Sequence, residues 1–206
     1  MKLLSLLAVT TAIGGVCAAP AMAQDTPAPA PAPAAPEAPS ASGFYAGAGI
    51  NLYFLDRDAA ASGMPIIFED QPSPGAFMGR LGYAFNENVA IEIEAGFGGA
   101  RSEFTTSGGG ADGEIGIETP LGAHVVLSLP MSGGSYVMGK AGYVSAKVSR
   151  EYLGVDYADV DINGASFGVG AGLRSGPWDY RFEYSFTSGG DSGDGGVLGM
   201  FVLHHF

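Results

Sequence analysis

Acidic and basic side chains recur at every second position in several short segments, and this spacing allows two kinds of chemistry. Glu92 and Glu94 are two residues apart, so on a β-strand both carboxylates lie on one face, as in a general acid and base pair. Asp179, Arg181 and Glu183 alternate in the same way. Because opposite charges at this spacing also form ion pairs, each segment has a catalytic and a structural interpretation. The element that carries the charges decides between them.

The segment 178–186 indicates which element that is. It reads WDYRFEYSF, with an aromatic residue at every odd position and a polar or charged residue at every even one. Successive side chains of a β-strand point to opposite faces, so one face of this segment is wholly aromatic and the other is polar. A helix would scatter both sets around its circumference. The pattern predicts a strand, whose aromatic face meets either a soluble core or lipid.

Seven further segments alternate similarly, each near the ~9–11 residues that cross a bilayer as a tilted strand. The eight predicted strands are 44–55, 75–85, 89–97, 114–127, 135–148, 162–174, 178–186 and 196–206. Short connections (86–88, 130–134, 175–177) alternate with longer ones (56–74, 99–113, 149–161, 188–195), as in bacterial outer-membrane barrels. The sequence therefore predicts an all-β, eight-stranded antiparallel up-and-down transmembrane β-barrel. A soluble lipocalin-like barrel is the alternative.

Strand phase predicts which side chains face the barrel lumen. In the strand 114–127, Ile115, Ile117 and Leu121 are expected to face outward, and Pro120 predicts a bulge. Lys140 is turned inward, since a lysine facing lipid near mid-membrane costs ~2–4 kcal/mol. The predicted lumen ion network consists of Arg80, Glu92, Glu94, Glu118, His124, Lys140, Arg174, Asp179, Arg181 and Glu183.

An eight-stranded barrel is just wide enough for its own side chains to fill it, and buried charges persist only when they are paired. We therefore expect a lumen closed by ion pairs, with Arg80 opposite Glu94 across the turn at Glu87. A narrow channel for small solutes is the alternative. The network accounts for Glu92 and Glu94 without catalysis, and the long connections contain no histidine, so neither an enzyme nor catalytic residues are predicted.

The first 42 residues have a different composition. Residues 1–23 predict a cleavable signal peptide, with Lys2, the apolar run 3–16 and the small-x-small sequence of residues 21–23. Its removal would take away Cys17, the one cysteine. Residues 24–42 are mostly proline and alanine and predict a disordered periplasmic spacer. The predicted barrel domain is 43–206.

Charge and composition limit the partners. Nine basic against 21 acidic residues give a formal net charge of −12, which excludes a general nucleic-acid binder. Acidic residues crowd the long connections, where they are solvated, bind divalent cations among lipopolysaccharide phosphates, or meet a host or envelope ligand. No metal site or cofactor is predicted, because His204 and His205 are neighbours on a strand and point apart.

Several motifs resemble the small outer-membrane β-barrel family, which includes the OmpA-like transmembrane domain and its OmpX-like and Opa-like porin-family relatives. They are GFYAG at 43–47, GRLGYAF at 79–85, GKAGY at 139–143, the alternating glycines of 168–172 and the terminal Phe206. The resemblance covers residues 43–206. It implies a place in the bacterial cell outer membrane, contact with outer-membrane lipid and lipopolysaccharide, and insertion by the barrel-assembly machinery. Phe206 would be part of the signal that this machinery reads, although His204 stands where that signal usually has an apolar or aromatic residue.

Overall fold

The computed structural model describes residues 42–56, 60, 72–104, 113–188 and 195–206. The strands in this part of the chain are β1 (Gly43–Leu55), β2 (Gly75–Ala84), β3 (Val89–Gly98), β4 (Ser102–Phe104), β5 (Gly113–Pro130), β6 (Ser135–Tyr152), β7 (Val155–Ser175), β8 (Trp178–Ser188) and β9 (Gly195–His205). A 3-10 turn, Ser132–Gly134, joins β5 to β6. The predicted signal peptide lies outside the described residues, as does the spacer apart from Ser42. Over the described ranges no helix has the length and apolar character needed to span a membrane.

The strands form a closed antiparallel barrel. Consecutive strands pair along the chain, except that β3 pairs with β5 rather than with β4, and β1 also pairs with β9, with Tyr45 opposite His205. The short strand β4 continues the line of β3, because both pair with β5. β3 and β4 therefore occupy one interrupted strand position, and the barrel is eight-stranded. This confirms the predicted fold, in which pairing of the first and last strands leaves no open edge across the membrane.

The outer surface of the barrel is apolar. Along β8 the aromatic side chains from Trp178 to Phe186 are 42–50% exposed, whereas Asp179, Arg181 and Glu183 between them are buried. A soluble barrel would bury the aromatic face and wet the charged one. The observed arrangement excludes the lipocalin-like alternative and is the one expected in lipid.

A bulge in β5 reverses the faces of that strand. The register with β6 shifts between Glu118 and Leu121, and Thr119 has a φ of 41°. Since an extra residue moves every following side chain to the other face, Ile115 and Ile117 point into the barrel and Glu118 is exposed. The predicted bulge is confirmed. The prediction that Glu118 faces the lumen and the two isoleucines face outward is wrong, because it carried one phase through the bulge.

The predicted loop 149–161 is also wrong. β6 runs to Tyr152 and β7 starts at Val155, so only the turn Leu153–Gly154 separates them. The hairpin extends past the region with apolar outward positions, where strand sequence no longer alternates between apolar and polar. The same reason applies to β4, which alternation did not predict.

The barrel interior has two layers. Toward the short turns it holds the charged side chains, together with apolar ones such as Leu203 and Met138. Beyond the β5 bulge, toward the long connections, it is mostly apolar apart from the buried Arg150, with Phe104, Ile115, Ile117, Val148 and Ile162 buried in one cluster. The bulge therefore lies where the apolar side chains move from the outside of the barrel to its inside.

Candidate functional site: the charged barrel lumen

Glycines make room for the large side chains that cross the lumen. A Cβ at Gly82 on β2 would overlap the ring of Tyr45 on β1, and one at Gly172 on β7 would overlap the ring of Tyr136 on β6. Each tyrosine therefore lies flat across a neighbouring strand and reaches toward the barrel axis. Both hydroxyls donate hydrogen bonds to carboxylates there.

Arg80 on β2 is the first centre of charge in the lumen. Its Nη1 lies 2.5 Å from Oε1 of Glu183, and its Nη2 lies 2.7 Å from Oε2 of Glu94, the residue opposite it in the β2–β3 register. The guanidinium also lies over the ring of Phe201, 3.6 Å from the ring centroid. Lys140 Nζ on β6 donates to the second oxygen of Glu183 at 2.8 Å. Side chains from five strands, β2, β3, β6, β8 and β9, thus meet around Arg80 and Glu183.

Arg181 on β8 is the second centre of charge. Its Nη1 lies 2.5 Å from Glu92 Oε1, and its Nη2 lies 3.2 Å from Asp179 Oδ2. Tyr45 donates to Glu92 at 2.6 Å, and Tyr136 donates to Asp179 at 2.6 Å while accepting from Arg181 Nε at 2.9 Å.

Glu92 joins the two centres, because its other oxygen lies 3.4 Å from Arg80 Nη1. Arg181 Nη1 also lies 3.5 Å from Glu183. The result is one connected set, here called the lumen network: Tyr45, Arg80, Glu92, Glu94, Tyr136, Lys140, Asp179, Arg181 and Glu183. Its ionisable members are three cations and four carboxylates.

Three of the predicted residues are placed differently. Arg174 lies near the short-turn end, with Nη2 3.9 Å from Asp179 and a side chain that is 35% exposed. His124 is buried with Nδ1 4.0 Å from Glu94, and neither ring nitrogen has a hydrogen-bond partner. Glu118 lies on the outer face beyond the bulge and takes no part.

Sequence reasoning did not assign roles to four residues that contact the charges. Tyr45 and Tyr136 donate to carboxylates, Phe201 lies under Arg80, and His205 Nε2 lies 3.4 Å from Asp179. Strand phase placed Tyr45 on the inward face, but phase does not say which of several inward groups a phenol reaches. His205 points inward and His204 outward, between Trp178 and Phe206.

The chemistry of the lumen network is that of mutual neutralisation. Each of its carboxylates has a cation within 4 Å, and ion pairs in such dry surroundings are far stronger than in water. Glu92 and Glu94 therefore hold arginines, rather than lying free as an acid and base pair. Among the described residues, no group of three or more His, Cys, Asp or Glu side chains is arranged to hold a metal ion.

A small cavity lies between the lumen network and the apolar layer. It has a volume of about 40 Å³, and its walls include the buried side chains of Asn51, Ser166, Ser185 and Thr187. A buried water needs roughly 10–15 Å³ of such space. The cavity therefore has room for a few waters and is too small for a solute of metabolite size.

Comparison with known proteins agrees with this architecture. Residues 9–200 match the family model of the outer membrane protein beta-barrel domain. No curated protein matches the chain significantly.

Three solved structures share the fold. Ail, the attachment invasion locus protein of Yersinia pestis, was crystallised with the heparin analogue sucrose octasulfate; it is 15% identical with a TM-score of 0.53, and the match covers 80% of this chain and 99% of Ail. Neisserial surface protein A is 15% identical with a TM-score of 0.55, covering 80% and 98%. OprG of Pseudomonas aeruginosa is 12% identical with a TM-score of 0.53, covering 82% and 95%. At these identities the likeness is one of fold.

Proposed function

The chain belongs to the outer-membrane β-barrel protein family and lies in the bacterial outer membrane, and on that premise we propose that it is a non-conducting barrel that supports the envelope and binds partners through an acidic outer end. The observation that carries the first part is the lumen network. Arg80 and Arg181 reach across the barrel from opposite walls and meet at Glu92 and Glu183. An ion entering from either side would meet fixed charges that are already paired.

The apolar layer beyond the β5 bulge supports the same conclusion. Ile115 and Ile117 are fully buried inside the barrel, together with Phe104 and Val148. An ion that crossed this layer would exchange its hydration shell for apolar side chains, which cannot solvate a charge. This desolvation costs several kcal/mol or more. Between the two layers the described residues line a cavity of about 40 Å³.

Barrel polarity assigns the two ends. Bacterial outer-membrane barrels have short turns on the periplasmic side and longer loops outside. Both ends of the barrel domain, at Gly43 and Phe206, lie with the short turns, where the amide of Phe206 donates to the carbonyl of Phe44 at 3.0 Å. The β6–β7 hairpin and the long connections therefore face the exterior, and residues 24–42 would be a periplasmic spacer after removal of the signal peptide.

The terminal strand supports insertion by the barrel-assembly machinery. Phe206 is 78% exposed on the outer face, so its ring is open to a receptor. His204 packs between the rings of Trp178 and Phe206, with centroid distances of 4.9 and 5.0 Å. It thus fills an aromatic position in spite of being a histidine. Outer-membrane lipid and lipopolysaccharide would contact this apolar outer wall.

The outer end is acidic, and this charge favours a cationic partner. Seven acidic residues lie there on described strands, Glu103, Glu114, Glu118, Glu151, Asp156, Asp159 and Asp161, against three basic residues, Arg101, Lys147 and the buried Arg150. Ail was crystallised with a sulfated, polyanionic ligand. The acidic end of this chain would repel such a ligand and attract cationic surfaces.

Conductance of the purified full chain in planar lipid bilayers tests the proposal. We expect no steady current steps at neutral pH. Long-lived steps of constant size would overturn the non-conducting barrel and favour the narrow channel. Binding of polylysine but not heparin to the protein in nanodiscs would support the second part of the proposal, and the reverse preference would contradict it.

A further inference from the structure

The β6–β7 hairpin ends in an unusual turn. Tyr152 pairs with Val155, and the two residues between them, Leu153 and Gly154, have φ of 53° and 73°. A two-residue hairpin turn with positive φ at both positions favours Asn-Gly or Asp-Gly. A leucine in the left-handed region is uncommon and strained, since its side chain crowds the backbone there.

The same turn exposes apolar surface to water. Leu153 is 65% exposed and Val155 is 57% exposed. These two lie beyond the β5 bulge, at the end of the β6–β7 hairpin, beside polar residues such as Asp156 and Glu151. The position combines backbone strain with apolar side chains that are mostly exposed among the described residues.

The hairpin is held rigidly despite its distance from the membrane. β5 pairs with β6 as far as Tyr152, opposite Gly113, and the ring of Phe104 stacks on that of Tyr152 with centroids 6.2 Å apart. Arg150 donates to the carbonyl of Ala158 across the hairpin and to the carbonyl of Ala60 at 3.2 Å. A rigid element loses little conformational entropy when it binds, which favours affinity.

Carboxylates surround the exposed tip. Asp156 and Asp159 are exposed, and Glu151 is half-buried with an oxygen 3.5 Å from Arg101. The nearest outward cation along β6 is Lys147, opposite Glu118 and Asp161 in the registers with β5 and β7. The surface is therefore an apolar point with an acidic border.

We propose that residues 151–159, here called the hairpin tip, dock into a protein surface that offers an apolar pocket bordered by lysine and arginine. Leu153 and Val155 would enter the pocket, and Asp156 and Asp159 would pair with the basic border. Apolar anchors enclosed by a polar rim are the usual energetic centre of protein interfaces. The proposal rests on the proposed surface-binding function and names its site and the partner's chemistry.

The test uses the full chain in lipid nanodiscs and two immobilised probes, a random lysine–phenylalanine copolymer and polylysine. The wild-type protein should bind the copolymer at least tenfold more tightly than polylysine. Leu153→Asn should bring that ratio close to one. Asparagine tolerates the left-handed conformation, so this variant should keep the hairpin, as checked by unchanged heat-modifiable gel migration. Leu129→Asn changes a leucine of similar exposure near the short turns and should leave the ratio unchanged.

The outcomes separate this proposal from the broader one. Loss of polylysine binding in Asp156→Asn/Asp159→Asn would support the acidic border. If polylysine binds but Leu153→Asn keeps the copolymer preference, the hairpin tip proposal fails while acidic surface binding stands. Equal binding of the wild-type protein to neutral phosphatidylcholine vesicles would overturn it in favour of a membrane, and absence of any copolymer preference would overturn it as well.

Discussion

Arg80 and Glu183 are 103 residues apart in the chain, yet Arg80 Nη1 lies 2.5 Å from Glu183 Oε1 in the centre of the barrel. The second oxygen of Glu183 accepts from Arg80 Nη2 at 3.0 Å and from Lys140 at 2.8 Å. A bidentate contact of this kind between buried groups fixes both side chains. It also ties β2 to β8, strands that are not neighbours in the sheet.

Removal of Arg80 should destabilise the barrel strongly. Among the described residues, Arg80→Met leaves Glu94 with no lysine or arginine within 4 Å, and only the ring of His124 lies at 4.0 Å. Breaking a buried ion pair on one side typically costs about 3–5 kcal/mol. Urea unfolding in detergent micelles, followed by gel migration, measures the loss. Arg101→Met is the matched control, because its ion pairs at 3.4 and 3.5 Å are exposed and worth at most about 1 kcal/mol. Equal effects of the two substitutions would contradict the role given to the network.

The Tyr45 hydroxyl should contribute measurably on its own. Tyr45→Phe deletes the hydrogen bond to Glu92 and keeps the ring, so the expected cost is that of a bond to a charged group, about 1.5–3 kcal/mol. Tyr143→Phe changes a tyrosine that is 57% exposed on the outer wall and should have little effect. The same urea titration compares them. An unchanged urea midpoint for Tyr45→Phe would mean that the hydrogen bond from the Tyr45 hydroxyl to Glu92 contributes no stability of its own, because water can replace it.

Substitution by alanine should destabilise the barrel at one glycine of β2 and leave its stability unchanged at another. At Gly82 a Cβ would overlap the ring of Tyr45, whereas at Gly79 the nearest atom is the Ala95 carbonyl oxygen at 3.7 Å. Gly82→Ala should cost about 1–3 kcal/mol, the usual penalty for overpacking, and Gly79→Ala should be close to neutral. Unfolding midpoints of the two variants provide the comparison. A neutral Gly82→Ala would show that Tyr45 can lie elsewhere.

The β5 bulge predicts which neighbouring side chains are accessible from outside. With the bulge, Glu118 is exposed and Ile117 is buried. In a background lacking Cys17, Glu118→Cys should react with a membrane-impermeant maleimide on intact cells, and Ile117→Cys should react only after unfolding. Uninterrupted alternation through Thr119 and Pro120 would give the opposite result. Both cysteines reacting equally would mean that the strand end is frayed.

The single tryptophan reports on position in the membrane. Trp178 is 46% exposed at the short-turn end of β8 and packs edge-on against His204. Indole rings favour the membrane interface. Tryptophan fluorescence in reconstituted vesicles should therefore be quenched more by lipids brominated near the headgroup than by lipids brominated near the chain ends. Stronger quenching by lipids brominated near the chain ends would place Trp178 in the bilayer interior and contradict its position at the interface.

Alternation of residue types was enough to predict the strands that cross the membrane. In β8 the two faces are so different in polarity that only one phase is compatible with lipid, and the same holds for the inward turn of Lys140, which is buried. The pairing of Arg80 with Glu94 followed from the turn at Glu87, because a short hairpin fixes its register. These properties are local or involve adjacent strands.

Only the tertiary structure decided the rest. Pro120 marked the bulge in the sequence, but the reversal of the faces of β5, which moves Glu118 out of the lumen, depends on how the sheet accommodates the extra residue. The extension of β6 and β7 to the turn Leu153–Gly154 lies in water, where no lipid enforces alternation. Which carboxylate each arginine holds depends on barrel closure, because β2 and β8 face each other across the lumen only after β1 has paired with β9. The sequence by itself determined the faces of each membrane strand, and the closed barrel determined the partners.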